Sequence, residues 1–281
     1  MTDNAANTKT FKETIKNYLF HDDQRTIPYG LGCAYMGRGY EKRTRKDDLL
    51  TLETAYKLGF RYFDTSRAYG NSEFAVGDFV PTVPRESIFL ATKFNVPNLK
   101  EPQKAAEKVN GYLAESLERL RTDHLDLYQV HDSSLELVFA DGGILPVLLD
   151  ARQQGLIRYI GVAVRDHPIL EQGVRHGEFD TILTYGDFTP FGQSAGELIT
   201  LANQHHVGVI NASPLMWLHH YKLDLKDPAN LAAALQFPLT NPAIDITLTG
   251  PSNSQEIRSS VEALNLPVDQ NLWEKWKHWR R

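Results

Sequence analysis

The feature that most constrains this chain is an alternation of strand-like and helix-like segments along nearly its whole length. Runs rich in β-branched and aromatic residues, such as 88–94 and 125–131, alternate with segments that carry apolar residues at helical spacing. Each interval is long enough for one βα unit, roughly 30 residues. Eight such units, with no run of adjacent strands, predict an α/β fold, a single-domain (β/α)8 TIM barrel.

The barrel and its C-terminal helix are expected to occupy residues 29–281. Residues 1–28 are mostly polar with one aromatic patch, so they are interpreted as an N-terminal leader and a lid over the closed end of the barrel. The glycines at positions 30, 32, 37 and 39 do not form GxGxxG, and no helix follows at once. This spacing excludes a Rossmann fingerprint.

Composition limits the possible partners. The net charge of −5, from 30 basic and 35 acidic residues, gives no reason to expect nucleic acid or an anionic membrane surface. A small, neutral or weakly charged substrate is expected instead. Cys33 is the only cysteine of the sequence, so an internal disulfide is excluded and no metal site is expected. No apolar run approaches the roughly 18 residues of a membrane span, and the polar N-terminal residues favour a cytoplasmic location. The oligomeric state is left open.

Three successive predicted strands end in residues that can carry chemistry. The strand at 61–65 leads into a loop with Asp64 and Tyr69, and the next two strands end near Lys93 and His131. In a parallel barrel the carboxyl ends of all strands share one face, and that face holds the active site. The four side chains are therefore expected to converge.

These residue types suit proton transfer at a substrate oxygen. An ammonium beside a phenol favours the phenolate, so Lys93 is expected to lower the pKa of Tyr69. Asp64 supplies the counter-charge that a buried lysine needs, and His131 can bind and orient the substrate oxygen. With no metal cage or nucleophile elbow beside them, hydride transfer to a nicotinamide is the natural companion reaction.

Other interpretations stay open from the residues alone. Taken singly, an aspartate after a strand is often a cap, a Tyr-Gly pair a turn, and a strand-end lysine a solvated side chain. A Schiff-base lyase using Lys93 would need a neutral lysine, against which Asp64 argues. A regulatory barrel that binds a cofactor or a partner protein without catalysis is the main alternative.

At these residues the chain resembles the aldo-keto reductase superfamily over nearly its whole length. The segments that carry the resemblance are YGLGCAYMG, FDTSRAYGNSE, ATKF, SLERLRTDHLDLYQVHD and GLIRYIGVAV. The resemblance implies a catalytic set of Asp64, Tyr69, Lys93 and His131, with Tyr69 as general acid or base. Within the superfamily, FDTILTYGDFTPF, VGVINASPLMW and ALQFPLTNPAIDITLTGPSNSQEI are similar to the L-galactose and L-fucose (D-threo-aldose) dehydrogenase branch. That branch implies oxidation of a sugar lactol to a lactone, or reduction of a small aldehyde or ketone.

The resemblance also implies a nicotinamide cofactor, NAD or NADP. The residues expected to bind it are Gly32, Met36, Asp64, Tyr185, Ser213, Leu215, Gly250, Ser252, Asn253, Glu256 and Ser260. Family members that use NADP place Arg or Lys around the turn after the eighth strand, where this chain has Gly250, Asn253 and Glu256. Glu256 would accept a hydrogen bond from a free ribose 2′-hydroxyl and repel a phosphate, so NAD is expected to be preferred, although Arg258 lies nearby.

Three departures from the family pattern are visible. Ala163, Val164 and Tyr185 replace the Ser, Asn and Gln that commonly hold the nicotinamide amide, and Ala212 replaces the usual stacking tyrosine. These replacements resemble the sugar-dehydrogenase branch. With these replacements the cofactor is expected to be held more by backbone. The stretch at 218–228 is also shorter than in relatives, so the cofactor is expected to be enclosed less or to be covered by a partner subunit.

Overall fold

Eight parallel strands close into a barrel in which neighbours along the chain are also neighbours in the sheet, and the last strand pairs with the first. The structure, a computed structural model, describes residues 9–19, 27–38, 42–96, 99–132 and 135–279. The strands are β1 (Tyr29–Gly32), β2 (Tyr62–Asp64), β3 (Phe89–Phe94), β4 (Leu125–His131), β5 (Ile157–Ala163), β6 (Thr181–Tyr185), β7 (Gly208–Ala212) and β8 (Ile246–Thr249). The predicted (β/α)8 fold is confirmed.

Helices connect the strands on the outside of the barrel. They are α1 (Phe11–Leu19), α2 (Arg45–Lys57), α3 (Ser72–Phe79), α4 (Pro102–Leu120), α5 (Glu136–Phe139), α6 (Ile144–Gln153), α7 (His167–His176), α8 (Gly196–Gln204), α9 (Met216–His220), α10 (Pro228–Gln236), α11 (Ser254–Leu264) and α12 (Gln270–Lys277). Short 3₁₀ turns cover Val80–Thr82, Arg85–Ser87 and Pro238–Thr240. Among the described residues, no helix combines the length and apolar character needed to span a bilayer.

Side chains alternate between the barrel interior and the layer beneath the helices. On β4, Leu127 belongs to the interior cluster, whereas Tyr128 and Val130 pack in the outer core against the helices. Because successive strand residues point to opposite faces, Gln129 and His131 share the inward direction of Leu127. The same alternation on β2 and β3 directs the functional side chains into the barrel mouth.

The N-terminal helix α1 lies across the amino ends of the strands. Its Phe11 packs edge-on against Phe89 and Tyr159, with ring centroids 5.7 Å apart in both pairs. The Lys12 ammonium contacts the Asp245 carboxylate at 2.9 Å just before β8. A side chain at Gly208 would collide with Phe11, since an added Cβ would lie 2.2 Å from its ring. Residues 20–26 of the predicted leader and lid lie outside the described residues, and the division of the chain at residue 28 stays a prediction.

Local sequence signals fix the helix ends. Thr44 and Asp47 form a reciprocal capping box at the start of α2. Asp166 caps α7, which ends at Gly177 in the left-handed conformation with φ of 86°. At the C-terminus, Trp276 of α12 is buried and stacks on Phe191 with ring centroids 4.9 Å apart. These contacts hold α12 on the outside of the barrel, beside α9 and α10.

Candidate active site

Four side chains from three successive strands and one loop line a single cavity at the carboxyl ends of the strands. Asp64 is the last residue of β2, Lys93 lies one residue before the end of β3, and His131 ends β4. Tyr69 comes from the loop between β2 and α3. All four line a cavity of about 330 Å³. The convergence expected from the sequence is what the structure shows.

A buried ion pair lies at the base of this cavity. The side chains of Lys93 and Asp64 are 1% and 4% exposed, and the ammonium donates a hydrogen bond to the carboxylate. Lys93 Nζ also donates to the Thr65 carbonyl at 2.9 Å, and the Gln129 amide donates to the second Asp64 oxygen at 3.2 Å. Burial opposes the charged lysine, but Asp64 and Tyr69 outweigh it, so the pKa of Lys93 lies above its ordinary value. The lysine therefore carries its charge at neutral pH.

Tyr69 lies above this ammonium. Its ring centroid is 5.0 Å from Lys93 Nζ and 5.8 Å from the centroid of the His131 ring, which it meets edge-on. Burial raises the pKa of the Tyr69 phenol, and the opposing effect of Lys93 is smaller. Lys93 does lower this pKa, as the sequence predicts, but desolvation of the phenolate is the larger effect, so the pKa of Tyr69 in the protein lies above its ordinary value. Tyr69 is thus a neutral phenol, poised to donate its proton.

His131 is kept neutral by its surroundings. Burial and the neighbouring Lys93 ammonium lower the pKa of His131 to about 4, and Asp132 opposes them. Its Nδ1 atom lies 3.4 Å from the Ser66 hydroxyl, and that hydroxyl accepts a hydrogen bond from the Ala68 amide at 3.1 Å. A neutral imidazole beside Tyr69 can form a hydrogen bond with a substrate oxygen, and it adds no positive charge next to Lys93.

Close backbone contacts fix the loop that carries Tyr69. The Ser72 hydroxyl donates to the Cys33 carbonyl at 2.6 Å and lies 2.7 Å from the Thr65 hydroxyl. Gly37, with φ of 68°, packs so tightly on this loop that an added Cβ would lie 2.3 Å from the Asn71 carbonyl oxygen. The loop after β1 thereby braces the loop after β2, and Tyr69 is held over the ion pair.

The expected cofactor residues fall into two groups. Gly32, Asp64, Tyr185, Ser213 and Gly250 line the cavity. The remaining expected residues are not among its lining residues. Met36 is fully buried in the core, Leu215 packs partly buried against it, and Ser252, Asn253, Glu256 and Ser260 lie in and just after the turn that follows β8.

The turn after β8 is an internally bonded helix cap. The Glu256 carboxylate accepts hydrogen bonds from the Ser252 backbone at 2.7 Å and from the Asn253 side-chain amide at 3.1 Å. Asn253 in turn caps α11 by accepting from the Glu256 amide at 2.9 Å. Ser260 donates back to the Glu256 carbonyl at 2.8 Å. Glu256 therefore holds the shape of the turn, and its exposed side chain keeps free lone pairs for a ligand.

The positions that depart from the family pattern are also on the cavity. Ala163, Val164, Tyr185 and Ala212 all line it. Three of these side chains offer no polar atom, so an amide placed there would have to bond to backbone groups or to Tyr185.

Sequence reasoning missed several residues of the site. Gln129 precedes His131 by two positions on β4, and the strand alternation alone would have placed it beside Asp64. Ser66 occupies the segment already singled out, but nothing in the sequence shows its contact with His131. Arg38 and Arg165 also line the cavity, and both follow strands at their carboxyl ends.

A charged ammonium beneath a protonated phenol, with a neutral imidazole at its side, is an arrangement suited to acid–base chemistry at a carbonyl or alcohol oxygen. Placed at the mouth of a parallel barrel, it has the form of an enzyme site.

Comparison with known proteins supports this interpretation. Residues 28–231 match the Aldo/keto reductase family. The chain is 29% identical to L-galactose dehydrogenase of Arabidopsis thaliana, over 86% of each chain. It is 25% identical to D-threo-aldose 1-dehydrogenase of a Pseudomonas species, over 87% of this chain and 91% of that one.

Among solved structures, an aldo-keto reductase from Klebsiella pneumoniae in complex with NADPH superposes with a TM-score of 0.71. It shares 19% identity and covers 90% of this chain and 91% of its own. The chain belongs to the aldo/keto reductase family and is a nicotinamide-dependent oxidoreductase. The family resemblance found in the sequence is confirmed.

Proposed function

We propose that the protein oxidises a sugar lactol to a lactone, or reduces a small aldehyde or ketone, with Tyr69 as the proton donor or acceptor. The observation that carries the proposal is the Lys93 ammonium, buried with Asp64 directly beneath the Tyr69 phenol. A charge fixed at this position stabilises negative charge on the phenol oxygen as it forms.

Tyr69 acts as an acid in the reductive direction. The raised pKa of Tyr69 keeps the phenol protonated at neutral pH, and the Lys93 ammonium enables it to give that proton to a carbonyl oxygen by stabilising the phenolate that is left. In the oxidative direction it takes the proton of the anomeric hydroxyl, and Lys93 compensates the phenolate charge during that step. Asp64 keeps Lys93 charged, and Gln129 holds Asp64 in place.

His131 orients the substrate oxygen. Its pKa of about 4 keeps the imidazole neutral across the physiological range. The Ser66 hydroxyl, which accepts from the Ala68 amide, lies 3.4 Å from Nδ1 of His131 and steadies the ring, and the neutral imidazole can donate a ring N–H to the substrate oxygen.

The cavity fits a nicotinamide group. Leu183, Ala212 and Leu248 give it apolar walls, and Tyr185 adds an aromatic surface. Gly32 leaves space at the mouth that a side chain would narrow, since an added Cβ would lie 3.4 Å from the Thr249 carbonyl oxygen. When bound there, a nicotinamide supplies the hydride acceptor or donor for the carbon held beside Tyr69.

We infer a preference for NAD over NADP. The adenosine end of the cofactor would lie at the turn after β8, where the first amides of α11 can receive a hydroxyl or phosphate. Glu256 sits in this turn and would repel a 2′-phosphate, whereas the exposed Arg258 is the one cation of the turn and the first part of α11. The acidic residue at the cap itself favours an unphosphorylated ribose.

The sugar substrate is supported by the relatives. Both curated relatives named above are sugar dehydrogenases, and they align with the chain over most of its length. The cavity volume of about 330 Å³ suits a small molecule. Because these relatives are 29% and 25% identical to the chain, they support sugars as the substrate class, and the individual substrate is proposed.

A second candidate is a regulatory barrel that binds the cofactor without turnover. The observation that favours it is the absence of a polar side chain at Ala163, Val164 and Ala212, all on the cavity wall. In such a protein, binding of NAD would quench the tryptophan and tyrosine fluorescence, yet the substrates would remain unchanged.

The test is a panel of aldoses, aldehydes and ketones with NAD and NADP, followed at the absorbance of the reduced nicotinamide. Turnover of at least one aldose or small aldehyde is expected, with the higher kcat/KM for NAD. Cofactor binding without turnover of any member of the panel would replace the enzyme proposal with the regulatory one.

A further inference from the structure

Arg165 lies at the mouth of the cavity with no counter-ion among the described residues. It follows β5 directly, is exposed, and places its guanidinium 4.3 Å from the centroid of the Tyr185 ring. It forms no ion pair or hydrogen bond with any residue of the described part of the chain. Arg67, Arg85 and Arg119 differ in this respect, since each contacts a carboxylate.

With its Cζ atom 4.3 Å from the centroid of the Tyr185 ring, the guanidinium lies over the aromatic face, and its N–H groups have no partner in the described part of the chain. A planar fork of donors matches the geometry of a carboxylate or phosphate and binds it with two parallel hydrogen bonds. The stacked position also restricts the side chain, so less freedom is lost when an anion binds. Arg165 is therefore preorganised as an anion receptor.

The charges that line the cavity favour an anion. Asp64 and Lys93 compensate each other at its base. The other charged groups on the described lining are Arg38, Arg165 and Asp132, and the Asp132 side chain is 56% exposed. The mouth thus carries a net positive charge in a chain whose net charge is −5. Its field would draw an anionic ligand toward the site.

Arg165 also lies close to the reacting groups. Its charge acts on His131 in the same direction as that of Lys93, lowering the pKa of the imidazole after the larger effect of burial. Arg165, His131 and Tyr69 line one cavity of about 330 Å³. An anionic group bound by Arg165 would therefore belong to the same molecule whose oxygen contacts His131 and Tyr69.

Two anions could reach this cavity, the diphosphate of the cofactor and an acid group of the substrate. The loop after β1 lies beside the turn after β8, where the adenosine end of the cofactor is proposed to bind. Tyr35 of that loop would be 3.7 Å from a Cβ added at Gly250, the first residue of the turn. Arg38 belongs to that loop. Arg165 follows β5, which stands opposite β1 in the closed ring of strands. This position separates Arg165 from the diphosphate and assigns it to the substrate.

We propose that the substrate carries a carboxylate or phosphate group, bound by the Arg165 guanidinium while Tyr69 and His131 meet its reacting oxygen. The proposal rests on the proposed function and names the substrate class as acidic sugars or acidic aldehydes. It replaces the neutral or weakly charged substrate that the net charge of the chain suggests, since the charge of the site differs in sign from that of the whole molecule.

The test compares substrates that differ only in the acid group. Butanal and succinic semialdehyde share a four-carbon chain, and glucose is matched with glucuronate and glucose 6-phosphate. Each is assayed with wild type, Arg165→Gln and Arg165→Lys. Arg175→Gln is the control, because Arg175 is an exposed arginine of α7 paired with Glu171, away from the cavity lining.

The wild type is expected to favour the acidic member of a pair by about tenfold or more in kcat/KM, the range of a charge-assisted hydrogen bond. Arg165→Gln should lose this preference, mainly because KM rises more for the acidic member of each pair than for the neutral member, and cofactor Kd should be unchanged. Arg165→Lys should retain part of it, since a point charge remains without the fork. Arg175→Gln should match wild type.

Equal kcat/KM for the acidic and neutral members in the wild type would overturn this inference and leave the proposed function standing. A parallel loss of cofactor affinity in Arg165→Gln would also overturn it, by assigning the guanidinium to the cofactor diphosphate. If no member of the panel is turned over, the proposed function and this inference fail together.

Discussion

Replacing Asp64 with asparagine tests the buried ion pair on which the site is built. The change keeps the size of the side chain and one oxygen acceptor but removes the charge that faces the Lys93 ammonium. With both side chains almost completely buried, the remaining cation has no carboxylate among its described neighbours. Its charge is then opposed only by neutral groups, the Thr65 carbonyl and Tyr69.

The expected cost follows from the burial of the pair. Removing one partner of a buried ion pair costs about 3–5 kcal/mol in the free energy of unfolding. For a domain of this size that corresponds to a fall in Tm of about 6–10 °C. Because Asp64 raises the pKa of Lys93 against burial, the contribution of the charged lysine is present at neutral pH and is lost as pH rises through the folded pKa of the lysine, whereas burial raises the pKa of Asp64 despite Lys93 and Gln129. The measurement therefore belongs near pH 7.

The assay is urea denaturation, which gives the free energy of unfolding of four proteins: wild type, Asp64→Asn, Lys93→Met and the double variant. The double variant removes both charges, so it should be more stable than the sum of the single changes predicts, with a coupling of about 1–3 kcal/mol. Additive losses, or a loss below about 1 kcal/mol in Asp64→Asn, would refute the argument that the pair is a coupled, desolvated unit. Residual activity in Asp64→Asn should decline at a lower pH than in wild type, since Lys93 deprotonates more readily.

Two further predictions concern pH and the cofactor. Because the pKa of folded His131 is about 4 against 6.5 for an ordinary histidine, the unfolded chain binds a proton that the folded chain does not. Stability should thus fall by up to about 3 kcal/mol as pH drops across that window, and His131→Gln should remove this component while the exposed His205→Gln should not. Glu256→Arg should shift the kcat/KM ratio toward NADP, with a loss of about 0.5–2 kcal/mol in stability from the broken cap. Glu256→Gln, which keeps the acceptor oxygen, should shift the ratio less. A wild type that prefers NADP, or an unmoved ratio in Glu256→Arg, would show that the turn after β8 has another role.

The fold could be predicted because the same sequence pattern, a strand-like segment followed by a helix-like segment, repeats along the chain. Each βα unit carries its own hydrophobic periodicity and turn residues, so a wrong prediction for one unit leaves the predicted architecture unchanged. The convergence of Asp64, Lys93 and His131 followed from the same rule, since parallel strands deliver their carboxyl ends to one face. The resemblance predicts Met36 at the cofactor; its side chain lies in the core and not on the cavity lining, so a cofactor role for it stays a prediction.

The electrostatic details could not be predicted from the sequence. The sign of the net pKa shift of Tyr69 depends on how burial compares with the Lys93 charge, and both are properties of the folded site. Arg165 illustrates the same point. The sequence shows an arginine after a strand, but only the structure shows its position over the Tyr185 ring and the lack of a carboxylate partner within the described part of the chain.

The most direct test of the proposed chemistry is the turnover of Tyr69→Phe, measured together with its affinity for the cofactor. The substitution removes the phenol oxygen and leaves the ring in contact with His131. We expect kcat to fall by about 10²- to 10⁴-fold, the contribution of a positioned acid or base, while cofactor Kd stays within about twofold of wild type. Tyr112→Phe, on α4 and away from the cavity lining, should remain fully active. Activity of Tyr69→Phe within a few-fold of wild type would contradict the assignment of Tyr69 as the proton donor.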